Sequence, residues 1–260
     1  MNSIVRNLTI KCVILIFISL IITNISYAKI DPDTIVGMWL FDEGSGKITK
    51  DSSGNGDDGE INGAKWVKGQ FNTALEFNGT TDAVVCPDNE SLDITDAITV
   101  SAWIKTPQPT KNFQMIVTHG EAVWELRFNA ATGTVHFCAQ INGVWIDQTE
   151  YSTNTILTAD TWYNVVGTFD GSTITTWLNG EDDGHYDVSG SMPLTDIAVN
   201  IGRRVEGGDY FYIGAIDEVA IFNVALPEDD VKSLMNGLTN VIAVSPLGQV
   251  AVTWAKIKAR

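Results

Sequence analysis

Two adjacent carboxylates, Asp217 and Glu218, interrupt an apolar run at residues 214–223. Paired acids can serve as general acid and base, or they can bind a cation. Side chains alternate between the faces of a β-strand, so neighbours in such a run point to opposite faces and cannot jointly act on one bond. In either phase one acid lies in an apolar row. Burying it unpaired costs on the order of several kcal/mol, so we expect a cation, a basic side chain or backbone N–H groups to neutralise it.

Sequence signatures of common catalytic sites are missing. There is no Gly-x-Ser-x-Gly sequence, and neither Cys86 nor Cys138 lies in a context typical of a nucleophile. The histidines, His119, His136 and His185, do not have the spacing of zinc ligands. These absences favour a binding or structural protein over an enzyme.

Aromatic side chains near predicted turns could form a sugar-binding platform, because an aromatic face packs against the apolar face of a pyranose. The chain has eight tryptophans and six tyrosines, and most of the tryptophans lie in predicted strands, where packing explains them. The candidate ligand contacts are those with a turn-like setting: Trp145, Tyr151, Tyr210 and Tyr212.

The N-terminal segment has the pattern of a secretory signal peptide. Arg6 and Lys11 precede an apolar run at residues 13–22, and small residues at Ser26 and Ala28 fit a cleavage site. We expect residues 1–28 to be removed, and no other segment is long and apolar enough to cross a membrane. The sequence therefore predicts a secreted or cell-surface protein.

The chain is strongly acidic, with a formal net charge of −16. Loss of residues 1–28 removes two basic groups and no acid, which leaves 14 Lys+Arg against 32 Asp+Glu and a charge of −18. Such a surface repels nucleic acid and anionic lipid and attracts cations. Solubility alone is as good an explanation of this acidity as a role in calcium binding is.

The mature chain keeps two cysteines, Cys86 and Cys138, both in strand-like runs. An exported protein can hold a disulfide, and two separate buried thiols are the alternative.

Short alternating segments bounded by Gly, Asp and Asn turns predict an all-β sandwich or jelly roll. Residues 163–169 and 173–178, joined through Asp170-Gly171, form the strongest hairpin signal. One short helix is predicted at residues 226–237, with Pro near its start, acids in its first turn and Gly at its end. The tail, residues 238–260, is either an additional strand or an attachment segment.

The order of several motifs resembles the LamG-like jelly-roll family of the concanavalin A-like lectin/glucanase superfamily. The resemblance runs from about Ile35 to Gly237, and its motifs are GMWLFDEGSG (37–46), ALEFNG (74–79), ITVSAW (98–103), WYNVVGTFDG (162–171) and GAIDEV (214–219). It implies a two-sheet antiparallel jelly roll at residues 29–237, usually secreted, that often binds carbohydrate or protein.

The resemblance also implies a calcium ion held by the first and last strands. The matching positions here are Asp42, the backbone of Gly79, and Asp217. Calcium takes six to eight oxygen ligands, so these residues would supply part of its shell. The alternative is that Asp217 or Glu218 pairs with Arg203, Arg204 or a lysine, or accepts backbone N–H groups.

Glucanases of this superfamily carry a Glu-x-Asp-x-x-Glu strand, and no segment here matches it; residues 181–183 come nearest and are read as a turn. We therefore predict a secreted, non-catalytic module that binds a glycan or an extracellular protein and is stabilised by calcium. A structural or adhesive surface protein is the alternative, and a glycoside hydrolase is a minority one. The oligomeric state is not indicated.

Overall fold

β-Strands dominate the computed structural model, which describes residues 30–107, 113–120, 123–147, 153–204 and 210–242. The strands are β1 (Ile35–Trp39), β2 (Ile48–Thr49), β3 (Gly59–Asn62), β4 (Lys65–Lys68), β5 (Thr73–Asn78), β6 (Ala83–Cys86), β7 (Ile98–Lys105), β8 (Phe113–His119), β9 (Trp124–Asn129), β10 (Thr134–Ile141), β11 (Val144–Ile146), β12 (Trp162–Phe169), β13 (Thr173–Leu178), β14 (Glu181–Asp187), β15 (Val199–Ile201) and β16 (Ile213–Phe222). Two short helices follow, α1 (Glu228–Ser233) and α2 (Leu238–Ile242), and short 3-10 turns lie at Pro32–Thr34, Glu90–Leu92 and Leu234–Asn236. The predicted signal peptide lies outside the described residues.

The strands form two antiparallel sheets. Sheet A has the order β14-β13-β12-β7-β16-β5-β4, with β1 also paired to β16, and sheet B has the order β11-β10-β9-β8-β15-β6-β3-β2. Side chains from both sheets fill one apolar core, which includes Trp39, Phe77, Val100, Leu126 and Phe137. The expected all-β, two-sheet jelly-roll sandwich with a short C-terminal helix is confirmed.

β16 is shared between two neighbours along its length. Its first half, from Ile213 to Ile216, pairs with β5, and its second half, from Val219 to Phe222, pairs with β1. Against β7, Asp217 pairs with Trp103 and Ala220 with Ser101, so one extra residue forms a β-bulge between them. Glu218 has a φ of 44° there. The bulge therefore lies where β1 ends and β5 begins.

The C-terminal helices cover the outside of sheet A. Val231, Leu234, Leu238 and Val241 pack in a second apolar cluster with residues of β1, β12 and β16, among them Phe222. The folded unit therefore continues to residue 242, beyond the boundary expected at 237. The first part of the expected tail is helical, and residues 243–260 lie outside the described part of the chain.

The positions of the strands correct one sequence expectation and decide between two alternatives that the sequence left open. Residues 181–183, interpreted as a turn, begin the edge strand β14. Cys86 and Cys138 do not form a disulfide with each other, and both side chains are buried, which corresponds to the alternative of two separate buried thiols. Cys86 is in β6 and Cys138 in β10, four strands apart in sheet B. At about 4.8 Å per strand this separation far exceeds the roughly 7 Å limit between Cα atoms in a disulfide.

Candidate functional site

Two polar clusters stand out. The first, the acid cluster, consists of Asp42, Asp217 and Glu218. Asp217 is 0% exposed and Glu218 is 3% exposed, so the structure buries both acids where the sequence predicted the burial of one. The extra residue of the bulge breaks the alternation of faces that the sequence suggested. Both carboxylates interact electrostatically with Asp42, which follows β1.

The loop before β5 closes over Asp217. The Phe71 N–H donates to Asp217 Oδ2 at 3.0 Å, while Asn72 Nδ2 donates to Asp42 Oδ2 at 2.9 Å. A Cβ atom added to Gly69 would lie 2.3 Å from the Phe71 carbonyl oxygen, 2.5 Å from Asp217 Oδ2 and 2.7 Å from the Thr73 carbonyl oxygen. A glycine is therefore required where these oxygens converge.

This oxygen-rich cradle fits calcium. Asp217 Oδ1 is buried and has no hydrogen-bond partner among the described residues, and calcium prefers carboxylate and carbonyl oxygens. Nowhere in the described ranges do three or more His, Cys, Asp or Glu side chains form a metal-binding group. A bound ion would therefore take backbone carbonyls from residues 69–73 in addition to Asp42 and Asp217.

Gly79, the third expected ligand, lies elsewhere. It follows β5 at the end where Asn78 pairs with Ile213, whereas Asp217 is four residues further along β16. At about 3.4 Å per residue, these positions are roughly 14 Å apart. The Gly79 carbonyl therefore cannot share an ion with Asp217.

Burial shifts the titration of both bulge acids. It raises the pKa of Asp217 to about 8, the Phe71 N–H opposes the rise, and the nearby Glu218 and Asp42 charges add to it. Burial likewise raises the pKa of Glu218 to about 7, against the hydrogen bond from Leu238 N–H at 2.8 Å. Backbone donors, one of the alternatives expected from the sequence, therefore satisfy one oxygen of each acid.

The second cluster lies on sheet B. Trp124, Leu126 and Phe128 of β9 point into the core, so Glu125 and Arg127 point to the opposite, outer face. Glu125 Oε2 lies 3.3 Å from Arg127 Nη1, and Glu125 Oε1 lies 3.2 Å from Arg204 Nε. Arg127 Nη2 is 3.9 Å from Asp147 Oδ2. We call Arg204, Glu125, Arg127 and Asp147 the charged row.

Three aromatic rings flank the charged row. The Arg127 guanidinium lies 4.8 Å from the Phe113 ring centroid and 6.0 Å from that of Trp145. The Arg204 guanidinium lies 5.8 Å from the Tyr210 ring. All three rings are only partly buried, so they present apolar surface beside fixed charges.

The interior of the charged row is desolvated. Glu125 is 1% exposed, and burial raises its pKa while Arg127 and Arg204 lower it. Burial also lowers the pKa of the adjacent His136 to about 4, so this imidazole is neutral near pH 7. His136 Nε2 lies 2.7 Å from Thr134 Oγ1. Arg204 and Asp147, at 27% and 26% exposure, form the accessible ends of the row.

The four aromatic residues expected to contact a ligand lie in different parts of the structure. Trp145 and Tyr210 lie beside the charged row. Tyr212 is 0% exposed and packs edge-on against Phe77 in the core, with ring centroids 6.4 Å apart, so its assignment as a ligand contact is wrong. Tyr151 lies outside the described residues.

Sequence reasoning missed Glu125 and Arg127, and it considered Arg204 only as a partner of Asp217 or Glu218, whereas Arg204 contacts Glu125. The alternation within residues 124–128 was visible and placed charges on one face of β9. Arg204 lies 79 positions from Glu125, so their proximity depends on strand order, which the sequence pattern does not provide.

The Laminin_G_3 family model, described as the concanavalin A-like lectin/glucanases superfamily, matches residues 78–232. This is more than half of the chain, and the protein therefore belongs to that superfamily. No curated protein matches.

Solved structures share the fold at low sequence identity. The binding domain of Paraclostridial Mosquitocidal Protein 1 is 19% identical with a TM-score of 0.65, and the match covers 80% of this chain and 53% of that one. Domain 4 of AbnA, a GH43 extracellular arabinanase from Geobacillus stearothermophilus in complex with arabinotriose, is 19% identical with a TM-score of 0.64, covering 78% and 98%. The ligand binding domain of botulinum neurotoxin serotype D, in complex with N-acetylneuraminic acid, is 17% identical with a TM-score of 0.59, covering 80% and 52%.

The chain thus spans about half the length of the two toxin domains and nearly all of the arabinanase domain. Across the described residues, no helix is long and apolar enough to cross a membrane.

Proposed function

We propose that this protein is a secreted, non-catalytic carbohydrate-binding module whose glycan site is the outer face of sheet B, between the charged row and the rings of Phe113, Trp145 and Tyr210. The observation that carries the proposal is the buried Glu125, held between two arginines that are themselves packed on aromatic rings. Fixed donors and acceptors beside apolar rings suit a sugar, which has hydroxyl groups and an apolar face.

The neighbours support this class of function. One was solved with arabinotriose and another with N-acetylneuraminic acid. Since each is less than 25% identical to this chain, they support the fold directly and the glycan only by analogy. The absence of a Glu-x-Asp-x-x-Glu strand and the pairing of Glu125 with arginines favour binding over hydrolysis.

Calcium is proposed as a structural ion in the acid cluster. Asp42, Asp217 and the carbonyls of residues 69–73 would hold it, and it would neutralise the two buried acids. The calcium site would have a structural role that is separate from glycan binding, because it would hold the loop before β5 against β16.

A glycan array probed with the purified protein, with and without a chelator, tests the function. We expect signals for a restricted set of glycans, weakened by the chelator if loss of calcium loosens the fold. No binding in either condition would exclude the lectin function and favour the structural or adhesive alternative. A reducing-sugar assay on the glycans that bind completes the test, and sugar release would revive the hydrolase.

A further inference from the structure

The acid cluster contacts the C-terminal helix α2 through Glu218. Glu218 Oε2 accepts a hydrogen bond from the N–H of Leu238, the first residue of α2, at 2.8 Å. Both residues are buried, Glu218 at 3% exposure and Leu238 at 2%. A hydrogen bond to a carboxylate in a buried setting is stronger than one between neutral groups. The Glu218 carboxylate therefore holds the start of α2 against β16.

Phe71 provides a second contact between the acid cluster and α2. Its N–H donates to Asp217 Oδ2 at 3.0 Å, and its ring packs edge-on against Trp103, with ring centroids 5.8 Å apart. The same ring lies against Gly237, the residue before α2, where an added Cβ atom would be 3.0 Å from the ring. The loop that closes over Asp217 therefore also supports the segment that leads into α2.

The bulge directs the two carboxylates to these different partners. Glu218 has a φ of 44°, in the left-handed region that residues other than glycine rarely adopt. Consecutive side chains of a regular strand point to opposite faces, whereas here Asp217 and Glu218 are both buried and the Asp42 carboxylate repels both. Strained backbone of this kind is retained where surrounding contacts require it, often at functional sites. One charge cluster thus acts on both connecting segments.

We infer, on the basis of the calcium site proposed above, that calcium binding is coupled to the packing of α2 on the outside of sheet A, and that Glu218 and Phe71 are the positioning residues that connect the two. Calcium carries two positive charges, which would offset the two carboxylates, of Asp42 and Asp217, that hold it. The charge of Glu218 would then no longer be opposed, so its hydrogen bond to α2 would strengthen. Ligation by carbonyls of residues 69–73 would also fix the ring of Phe71 against the start of α2.

Coupling between two sites acts in both directions. If calcium stabilises the packed state of α2, then packing of α2 raises the affinity for calcium by the same factor. Such couplings typically change an affinity by a factor of about 5–150. Loosening α2 should therefore weaken calcium binding, although no residue of α2 is a proposed ligand. Glu218 would likewise determine the calcium affinity without binding the ion.

Hydrogen exchange followed by NMR, in calcium and in excess chelator, tests the first direction. We expect calcium to slow exchange of the Leu238 amide about tenfold, because this amide is released when the end of the chain opens locally. The amide of Ser172, in the exposed turn between β12 and β13, donates to Asp170 and is the control. It should exchange at the same rate in both conditions.

Calorimetric titration with calcium tests the reverse direction in two variants. Glu218→Gln removes the charge that binds the Leu238 N–H, and Val241→Ala loosens α2 from the second apolar cluster without changing any charge. We expect the dissociation constant for calcium to rise about tenfold for the first and about fivefold for the second. The matched controls are Glu60→Gln, at an exposed position of sheet B, and Val123→Ala, which has the same 7% exposure as Val241 but lies in the main core. Both should bind calcium like the wild type, and circular dichroism establishes that each variant is folded.

Calcium binding that leaves Leu238 exchange unchanged would overturn the coupling and leave the calcium site of the proposed function standing. A folded Val241→Ala variant with wild-type calcium affinity would also overturn it, and would show that Glu218 acts through its charge alone. A wild type that binds no calcium would remove both the calcium site and the coupling. The glycan array would still decide carbohydrate binding independently of that result.

Discussion

Asp217 and Glu218 are consecutive residues of β16, and each binds a different connecting segment: the loop before β5 in the case of Asp217, and the start of α2 in the case of Glu218. Asp217 accepts a hydrogen bond from the Phe71 N–H at 3.0 Å, and Glu218 accepts one from the Leu238 N–H at 2.8 Å. The two connections also approach each other, because a Cβ atom on Gly237 would lie 3.0 Å from the Phe71 ring. The bulge therefore links the acid cluster to the start of the last helix.

Replacing Asp217 tests the calcium site. With calcium at about one hundred times its dissociation constant, binding stabilises the native state by about 2.7 kcal/mol, or roughly 5–10 °C in melting temperature. We expect Asp217→Asn to remove most of this shift in a thermal melt, because the variant loses a charged ligand. Asp196→Asn, at an exposed position, should keep the full shift. A wild type whose melting temperature is the same in calcium and in excess chelator would contradict the calcium site.

The pH dependence without calcium follows from the raised pKa values of the bulge acids. Folding raises the pKa of Asp217 from 3.8 to about 8 and that of Glu218 from 4.5 to about 7. The native state therefore binds more protons than the unfolded state between about pH 4 and pH 8, so stability falls as pH rises through this window. We expect the melting temperature in chelator to drop from pH 5 to pH 8, with a smaller drop for Asp217→Asn. Equal slopes for the two proteins would show that Asp217 does not titrate as described.

Glu218→Gln tests the attachment of the C-terminal helix. A neutral amide is a weaker acceptor than a carboxylate, so the hydrogen bond from the Leu238 N–H should weaken. We expect hydrogen exchange at the Leu238 amide to accelerate about tenfold, while exchange within β12 stays as in the wild type. Unchanged exchange at Leu238 would mean that apolar packing of α2 alone holds this segment.

Tyr210 and Tyr212 are two residues apart and should respond oppositely to truncation. Tyr210 is partly exposed beside Arg204, so Tyr210→Ala should lower glycan affinity about tenfold with little change in melting temperature. Tyr212 is 0% exposed, so Tyr212→Ala should cost about 3–5 kcal/mol of stability. Calorimetric binding and thermal melts of both variants check the contrast, and a destabilised Tyr210→Ala with normal affinity would argue against its place in the site.

Much of the fold could be predicted from the sequence because it depends on local patterns. Alternation predicted β7, and Asp170-Gly171 predicted the hairpin of β12 and β13. The burial of one of the two acids, Asp217 or Glu218, was likewise predicted, since any regular strand through that run buries an acid, whereas the burial of both was not. What could not be predicted was the bulge, because an extra residue in one strand is defined only by its partners in β7, β1 and β5.

The candidate sites show the same difference between features with a local motif and features that depend on the pairing of distant segments. Asp42 and Asp217 were chosen because each belongs to a motif, and they lie in one cluster, whereas Gly79 was chosen from a motif that lies at the other end of β5. Trp145 and Tyr210 were chosen for their turn-like setting, and the same criterion wrongly selected Tyr212, whose side chain turns into the core. Glu125 and Arg204 carry no motif, and only the pairing of distant segments brings them together.

The position of the glycan on the protein is the most direct test of this account. Backbone and indole amide shifts should be followed by NMR while the glycan that binds best on the array is added to the wild-type protein. We predict that the shifts concentrate at Glu125 and Arg127 of β9, at Trp145 of β11 and around Arg204. Shifts confined to sheet A, for example along β5 and β16, with the outer face of sheet B unchanged, would contradict the assignment of the site.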